Sequence, residues 1–342
     1  MSVILEIKDL TKTYPKAKRP ALESLSLQVE SGAIYAFVGP NGAGKTTTIR
    51  IIATLLGFER GEVRLGGYSV RTQVHEVRQL LGYIPDEFGL YDEMSASEYL
   101  EFFASCYGIP PQKRRSISAD LLDLVGLSHR AGDEVRTLSR GMRQRLGLAR
   151  ALVHEPALIL ADEPASGLDP RARVELRDIL RVLQELGKTI FISSHVLREL
   201  DDIATHVGII EQGHMVAEGT PEDIRQRLRP HRCARIALLG APDDAQAWLA
   251  QHPAVRGITL EAPATNGARA NGSPAAVTPA AIAPAAIAPR HPELLVTVEG
   301  GEEDLAKLLA EMVSAGFPVL SFTEERETLE NLFLDLTQGI VS

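Results

Sequence analysis

The residues best placed to do chemistry form one run, Gly39-Pro40-Asn41-Gly42-Ala43-Gly44-Lys45-Thr46-Thr47. It follows the apolar stretch Ala33 to Val38 and precedes Ile49, Ile51, Ile52 and Leu55 at helical spacing. This is G-x-x-x-x-G-K-[ST] between a strand and a helix, the setting that a phosphate-binding loop requires. Glycines let backbone N–H groups turn inward around a β-phosphate, and a helix N-terminus adds partial positive charge. Lys45 is expected to reach β and γ oxygens and the Thr46 hydroxyl to ligate Mg²⁺, so the expected ligand is a nucleoside triphosphate. A second apolar strand, Ala157 to Ala161, ends in Asp162-Glu163. An Asp at the carboxyl end of a buried strand can complete a Mg²⁺ site, and the adjacent Glu163 can orient or deprotonate an attacking water. The plainer reading is an acid pair that caps the chain before Pro164.

Between these two motifs lies Leu138-Ser139-Arg140-Gly141-Met142-Arg143-Gln144-Arg145, just before an apolar helical stretch, Leu146 to Leu152, and with Gly141 21 positions ahead of Asp162. It resembles the L-S-G-G-Q signature of ATP-binding-cassette (ABC) ATPases, and the ordered set of motifs extends that resemblance over residues 1 to about 220. The resemblance implies ATP as ligand, with Tyr14 of Thr13-Tyr14-Pro15 stacked on adenine; by itself Tyr14 reads as a surface tyrosine. It implies that Ser166-Gly167-Leu168-Asp169 is a loop that crosses a dimer interface. It implies that His195, after the strand Thr189 to Ser193, contacts the γ-phosphate, where a lone strand-end histidine otherwise reads as a structural hydrogen-bonder. It also implies a second copy of the chain. Lys45, Mg²⁺ and the loop amides cover one side of the triphosphate, and Ser139 with the Gly141 amide of the opposite subunit would cover the other.

Two departures from the family pattern stand out. In Leu81-Gly82-Tyr83-Ile84-Pro85-Asp86, Asp86 takes the place where most members have Gln; an anion there can touch Mg²⁺ or the water but donates no amide hydrogen bond. In the signature, Arg140 replaces the first Gly and Met142 replaces Gln. Two readings of Arg140 stay open: positive charge near ATP, or a side chain in solvent. The run Tyr83 to Tyr91, the S-R-G-M-R-Q-R signature and the tail Thr328 to Thr337 resemble the ATPase subunits of ABC-2-type exporters, similar to daunorubicin-resistance-type ATPases. That implies a separate integral membrane permease as partner, a docking groove near Asp86 to Tyr91 beside a helical subdomain at about 94–150, and attachment to the cytoplasmic face of the cell membrane through the permease. The competing reading is a soluble ABC ATPase of DNA repair or translation. A single cassette, the lack of a heptad run and two isolated cysteines weigh against it.

These motifs need a scaffold, and 342 residues at 44% hydrophobic content are enough for two domains with their own cores. Residues 1–220 alternate short β-branched strands with helices, as in a parallel α/β sheet covered on both faces, and the family resemblance implies a P-loop α/β core with a β subdomain and a helical subdomain. Residues 221–342 read as a small α+β accessory domain: strand Cys233 to Leu239, helix Asp243 to Gln251, strand Val255 to Glu261, strand Leu294 to Glu299, helix Glu303 to Ala315, strand Val319 to Thr323, then helix Thr328 to Leu336. That order is ferredoxin-like. Its second and third strands are separated by residues 262–292, which hold 12 Ala and 6 Pro and read as an extended or disordered linker. The net charge is −9, with 26 basic against 29 acidic residues up to 220 and 10 against 16 after it, so no broad attraction for nucleic acid is expected. The longest apolar run is six residues, Ala33 to Val38, against roughly 20 for a membrane-spanning helix, so no span is expected. Glu6, Lys8 and Asp9 interrupt any leader, which points to the cytoplasm. Cys106 and Cys233 are expected to be packing residues.

Overall fold

The computed structural model describes residues 2–86, 89, 91, 93–196, 200, 202–228, 231–239, 242–261 and 293–325. The chain divides between Arg225 and Gln226 into two compact units.

The first unit runs, in chain order, β1 (Val3–Lys12), β2 (Leu22–Glu30), β3 (Ile34–Val38), α1 (Lys45–Ile52), β4 (Arg60–Leu65), β5 (Tyr68–Ser69), α2 (Val74–Leu80), β6 (Leu81–Ile84), α3 (Ala96–Cys106), α4 (Pro111–Leu124), α5 (Arg140–Leu152), β7 (Leu158–Asp162), α6 (Pro170–Glu185), β8 (Thr189–Ser194), β9 (His206–Glu211) and β10 (His214–Gly219). The helix α7 (Pro221–Leu228) spans the division. A six-stranded sheet in the order β10-β9-β3-β8-β7-β6 is parallel apart from the edge pair β9/β10. Every residue of β3, β7 and β8 is buried, as strands covered on both faces must be. A second, antiparallel sheet in the order β2-β1-β4-β5 buries one face only, so β2 alternates buried and exposed positions. Leu5, Ile7, Leu25, Leu27, Val63 and Leu65 from this sheet join Phe37, Ile49, Leu160 and Phe191 in one core, which fixes the loop after β3 against both sheets.

The helices α3, α4 and α5 pack on one another within the region expected as a helical subdomain. Ser95 and Glu98 form a reciprocal capping box at the start of α3, and Pro111 occupies the first turn of α4. The α5 helix begins six residues before the expected Leu146, because Ser139 caps it and the Arg, Met and Gln that follow are good helix formers. Apolar periodicity sets in only at Leu146, which is why the spacing alone placed the start too late.

The second unit contains β11 (His231–Leu238), α8 (Asp243–Ala250), β12 (Val255–Glu261), β13 (Glu293–Glu299), α9 (Glu302–Ser314) and β14 (Val319–Glu325). Its sheet is antiparallel throughout in the order β12-β13-β11-β14, the strand order of a β-α-β-β-α-β unit. Ala234, Ile236, Leu238, Leu294, Val296 and Val298 alternate onto the face that meets Leu249, Leu305, Leu308 and Met312. The Ala/Pro segment 262–292 and the tail helix expected at 328–336 lie outside the described residues. Cys106 is exposed, which corrects its expected packing role, whereas Cys233 is half-buried with its Sγ 3.8 Å from Thr297 Oγ1. Among the described residues no helix is long and apolar enough to cross a membrane.

Candidate active site

The chain leaves the buried end of β3 at Val38 and enters α1 at Lys45, so the six residues between them form a tight loop. A Cβ on Gly39 would sit 2.3 Å from the Ile210 carbonyl oxygen, which closes position 39 to any side chain. Gly44 caps α1 at φ 113°, and a Cβ there would lie 2.6 Å from Leu22 Cδ2 and 2.8 Å from the Ala21 carbonyl oxygen. Both the backbone angle and the space demand glycine. No side chain caps α1 and its first turn holds no acid, so its leading N–H groups remain available to an anion.

Lys45 is buried, with 5% of its surface exposed. Its Nζ donates to the Gly39 carbonyl at 2.7 Å and the Pro40 carbonyl at 3.2 Å, and lies 3.2 Å from Glu163 Oε1. The Thr46 hydroxyl donates to Asp162 Oδ1 at 3.1 Å. The parallel register of β7 and β8 sets Asp162 opposite Ser193, and the Ser193 hydroxyl donates to the same Asp162 oxygen at 2.8 Å while accepting from the Glu163 N–H at 2.9 Å. Glu163 is held at φ 49°, a left-handed backbone that costs a non-glycine residue roughly 1–3 kcal/mol and that clusters at functional sites. This bend turns its carboxylate toward Lys45 and toward His195, whose Nδ1–H donates to Glu163 Oε2 at 2.6 Å. One carboxylate therefore bridges a lysine and a histidine beside a hydroxyl–carboxylate pair.

Tyr14 closes the far side, with its hydroxyl 3.2 Å from Thr47 Oγ1. Glu59 holds the Tyr14 loop by accepting from Lys12 Nζ and from the Thr13 N–H, each at 2.8 Å. The Lys12 ammonium keeps the Glu59 carboxyl below the usual carboxylate range. The cavity enclosed is about 490 Å³ and is lined by Tyr14, Asn41, Gly42, Gly44, Lys45, Thr46, Thr47, Asp86, Glu163 and His195 among others. That volume lies within the range of small-molecule and cofactor sites. The expected residues Gly39, Pro40, Ala43 and Asp162 are not among this lining, though Gly39 and Pro40 accept from Lys45 and Asp162 from Thr46, and Asp86 is an exposed member of it. Glu87, Phe88 and Leu90, its neighbours in the expected docking run, lie outside the described residues.

Ser139, Gly141 and Asp169 are elsewhere in the unit. Ser139 Oγ accepts from the Met142 N–H at 3.3 Å and so caps α5, and Asp169 Oδ1 accepts from the Ala172 N–H at 2.9 Å and so caps α6. Arg140 does not reach this cavity; its guanidinium packs over Gly167 of its own chain. Spacing missed Ser193 and Glu59. The first was signalled by two serines ending an otherwise apolar strand; the second had no local signal.

The donors suit a hard divalent cation and a polyphosphate. Thr46 and Asp162 offer oxygen ligands side by side, and among the described residues no group of three or more His, Cys, Asp or Glu is placed to hold a metal. A cation at this position would complete its shell with phosphate oxygens and water, which is how Mg²⁺ is usually held.

Residues 22–166 match the family described as ABC transporter. The linearmycin resistance ATP-binding protein LnrL of Bacillus subtilis is 31% identical over 336 residues, covering 98% of each chain. The bacitracin transport ATP-binding protein BcrA of Bacillus licheniformis is 39% identical over 232 residues, 68% of this chain and 74% of its own. Among solved structures, the dimeric post-hydrolysis state of an ATP-binding cassette bound to ADP and Pi superposes with a TM-score of 0.59 at 26% identity, over 64% of this chain and 99% of that one. The glycine-bound loop, the bridged Glu163 and these likenesses agree: the chain belongs to the ABC transporter family, as one of its ATP-binding ATPase subunits.

Proposed function

We propose that this subunit powers a separate ABC-2-type membrane permease, in the direction of export, by closing and reopening an ATP-sandwiched homodimer. The observation that carries the site reading is the Glu163 carboxylate, pinned between Lys45 and His195 and one residue from the Thr46–Asp162 pair. Lys45 and the free amides of α1 bind the β and γ phosphates of ATP, Thr46 and Asp162 hold Mg²⁺, and Tyr14 stacks on adenine. Bound there, Mg²⁺ neutralises phosphate charge. Glu163 orients the attacking water and takes its proton, while the His195 N–H fixes the carboxylate that does so. Asp86, at the cavity edge, faces the same space and contributes negative charge toward the metal.

Ser139, Gly141 and Asp169 lie off the cavity of their own chain, which supports their use by a second copy. The dimeric cassette that resembles this chain supports the same arrangement. ATP then stabilises the closed pair through its higher affinity for that state, and hydrolysis releases it. Export is supported by a relative aligned over the whole length that bears a resistance name. That full-length match also disfavours DNA repair or translation. The domain scheme follows: residues 1–220 as the ATPase, residues 221–342 as an accessory domain, and attachment at the cytoplasmic face of the membrane through the permease.

Glu163→Gln tests the core of this reading. The variant is expected to lose turnover by roughly 100-fold or more while still binding ATP, and to sediment as a dimer with ATP and Mg²⁺. Wild-type hydrolysis by that variant would remove Glu163 as the base, and a strictly monomeric ATP-bound form would remove the shared site. Coexpression with the candidate permease and copurification from detergent checks the partner.

A further inference from the structure

The departure from the family pattern at Arg140 has a structural counterpart. The helices α5 and α6 meet at their N-termini, where a Cβ on Gly141 would stand 2.9 Å from Ala172 Cβ. Farther along, Arg145 Nη2 pairs with Glu175 Oε2 at 3.3 Å. At the mouth of this junction the Arg140 guanidinium lies beside Gly167, both residues staying exposed to solvent: a Cβ on Gly167 would lie 2.4 Å from Nη1, 2.5 Å from Cζ and 2.7 Å from Nη2. Three atoms of the group are nearly equidistant from one point, so its plane faces the backbone. Gly167 has φ +66°, a left-handed backbone that favours glycine, and the three nearest atoms a Cβ there would meet all belong to the Arg140 guanidinium. Arg140 has no hydrogen-bond or ion-pair partner among the described residues, which makes the contact one of shape and not of charge.

Gly167 sits in the short segment that leaves Glu163. The Ser166 N–H donates to the Glu163 carbonyl at 3.0 Å, Arg173 Nε to the Leu168 carbonyl at 3.1 Å, and Asp169 caps α6. That segment is thus tied at Glu163 and at α6, and Arg140 presses on its middle from α5. We propose that Arg140 is a positioning residue: its planar guanidinium, packed on Gly167, locks the 163–169 segment to the signature helix and so holds the strained Glu163 backbone in its working geometry. This rests on the reading of Glu163 as the base.

The test is steady-state ATP hydrolysis by the full-length chain carrying Arg140→Ala, Arg140→Lys, Gly167→Ala or the Ala pair, with melting temperature measured alongside. Arg140→Ala is expected to lower kcat roughly 3- to 30-fold. KM for ATP should stay within about twofold, since the Arg140 guanidinium is turned onto Gly167 of its own chain and is given no phosphate contact in either copy. Arg140→Lys should be as slow as Arg140→Ala, because an ammonium keeps the charge and lacks the plane. Gly167→Ala should be slow as well, and the Ala pair should lose less than the product of the two single losses. Wild-type kcat in Arg140→Ala, full rescue by Lys, a change in KM with kcat kept, or strictly multiplicative losses would each overturn the proposal. The two readings fail separately. Turnover surviving in Glu163→Gln defeats the assignment of the base, whereas an inactive Glu163→Gln beside a fully active Arg140→Ala defeats only the clamp.

Discussion

Ser193 is the hinge of the acidic pair, and Ser193→Ala measures what that hinge does. The side chain is fully buried and its hydroxyl makes two bonds, one to the Asp162 carboxylate at 2.8 Å and one from the Glu163 N–H at 2.9 Å. A bond to a charged group contributes about 1.5–3 kcal/mol and a neutral one about 1 kcal/mol, so the substitution should destabilise the domain by roughly 2–4 kcal/mol. For a unit of this size that lowers the melting temperature by roughly 5–15 °C. The functional effect is separate. With Ser193 gone, Asp162 keeps the Thr46 hydroxyl as its one side-chain hydrogen bond among the described residues and can rotate, so the Mg²⁺ concentration giving half-maximal hydrolysis should rise roughly 10- to 100-fold. The assay is ATP turnover titrated with Mg²⁺ well below the melting temperature, with Ser194→Ala as control. Ser194 Oγ bonds the Val196 backbone and neither acid, so its loss should leave the Mg²⁺ midpoint in place. An unchanged Mg²⁺ midpoint in Ser193→Ala would refute the view that Asp162 is oriented through this hydroxyl.

Other outcomes follow from the same contacts. Lys45→Ala removes a buried cation that bonds the loop and Glu163, and nucleotide affinity measured by fluorescent ATP analogue should fall roughly 10- to 100-fold; unchanged affinity would contradict its phosphate role. Glu59→Ala releases the Tyr14 loop from an exposed anchor, so KM for ATP should rise by roughly two- to fivefold with kcat kept, and a loss confined to kcat would count against it. His154 donates from Nε2 to the Leu81 carbonyl at 3.0 Å and stacks on Tyr107 at 3.9 Å, and burial holds its pKa below the ordinary 6.5. Because the unfolded chain takes up that proton first, the stability tied to neutral His154 is complete above 6.5 and is lost as pH falls through the lower folded value. Urea midpoints at neutral and mildly acidic pH should therefore converge in His154→Gln, and an identical acid sensitivity would exclude this source.

The chemistry-bearing stretches were legible because each is a local device. A glycine loop between an apolar strand and a helix, or an acid pair at the end of a buried strand, is specified by residues a few positions apart, and those same residues appear at the ends of β3 and β7. The strands and helices of the second unit were legible for a related reason: period-two alternation in β13 and helical periodicity in α9 are written in neighbouring residues. The start of α5 was misplaced because a polar cap and basic helix formers carry no apolar period.

What the amino-acid order determined alone was therefore the inventory: a glycine-rich loop between a strand and a helix, an acid pair at the end of a buried strand, and the elements that carry them. Tertiary structure decided which of these touch. Thr46 meets Asp162 across 116 positions, Asp162 meets Ser193 across 31, and Lys12 meets Glu59 across 47. Arg140 was left between two readings by its type; the structure leaves it exposed, and packing of α5 against α6 sets its guanidinium beside Gly167. Such pairings depend on sheet order, strand register and close helix approach, which arise only when the whole core is buried at once.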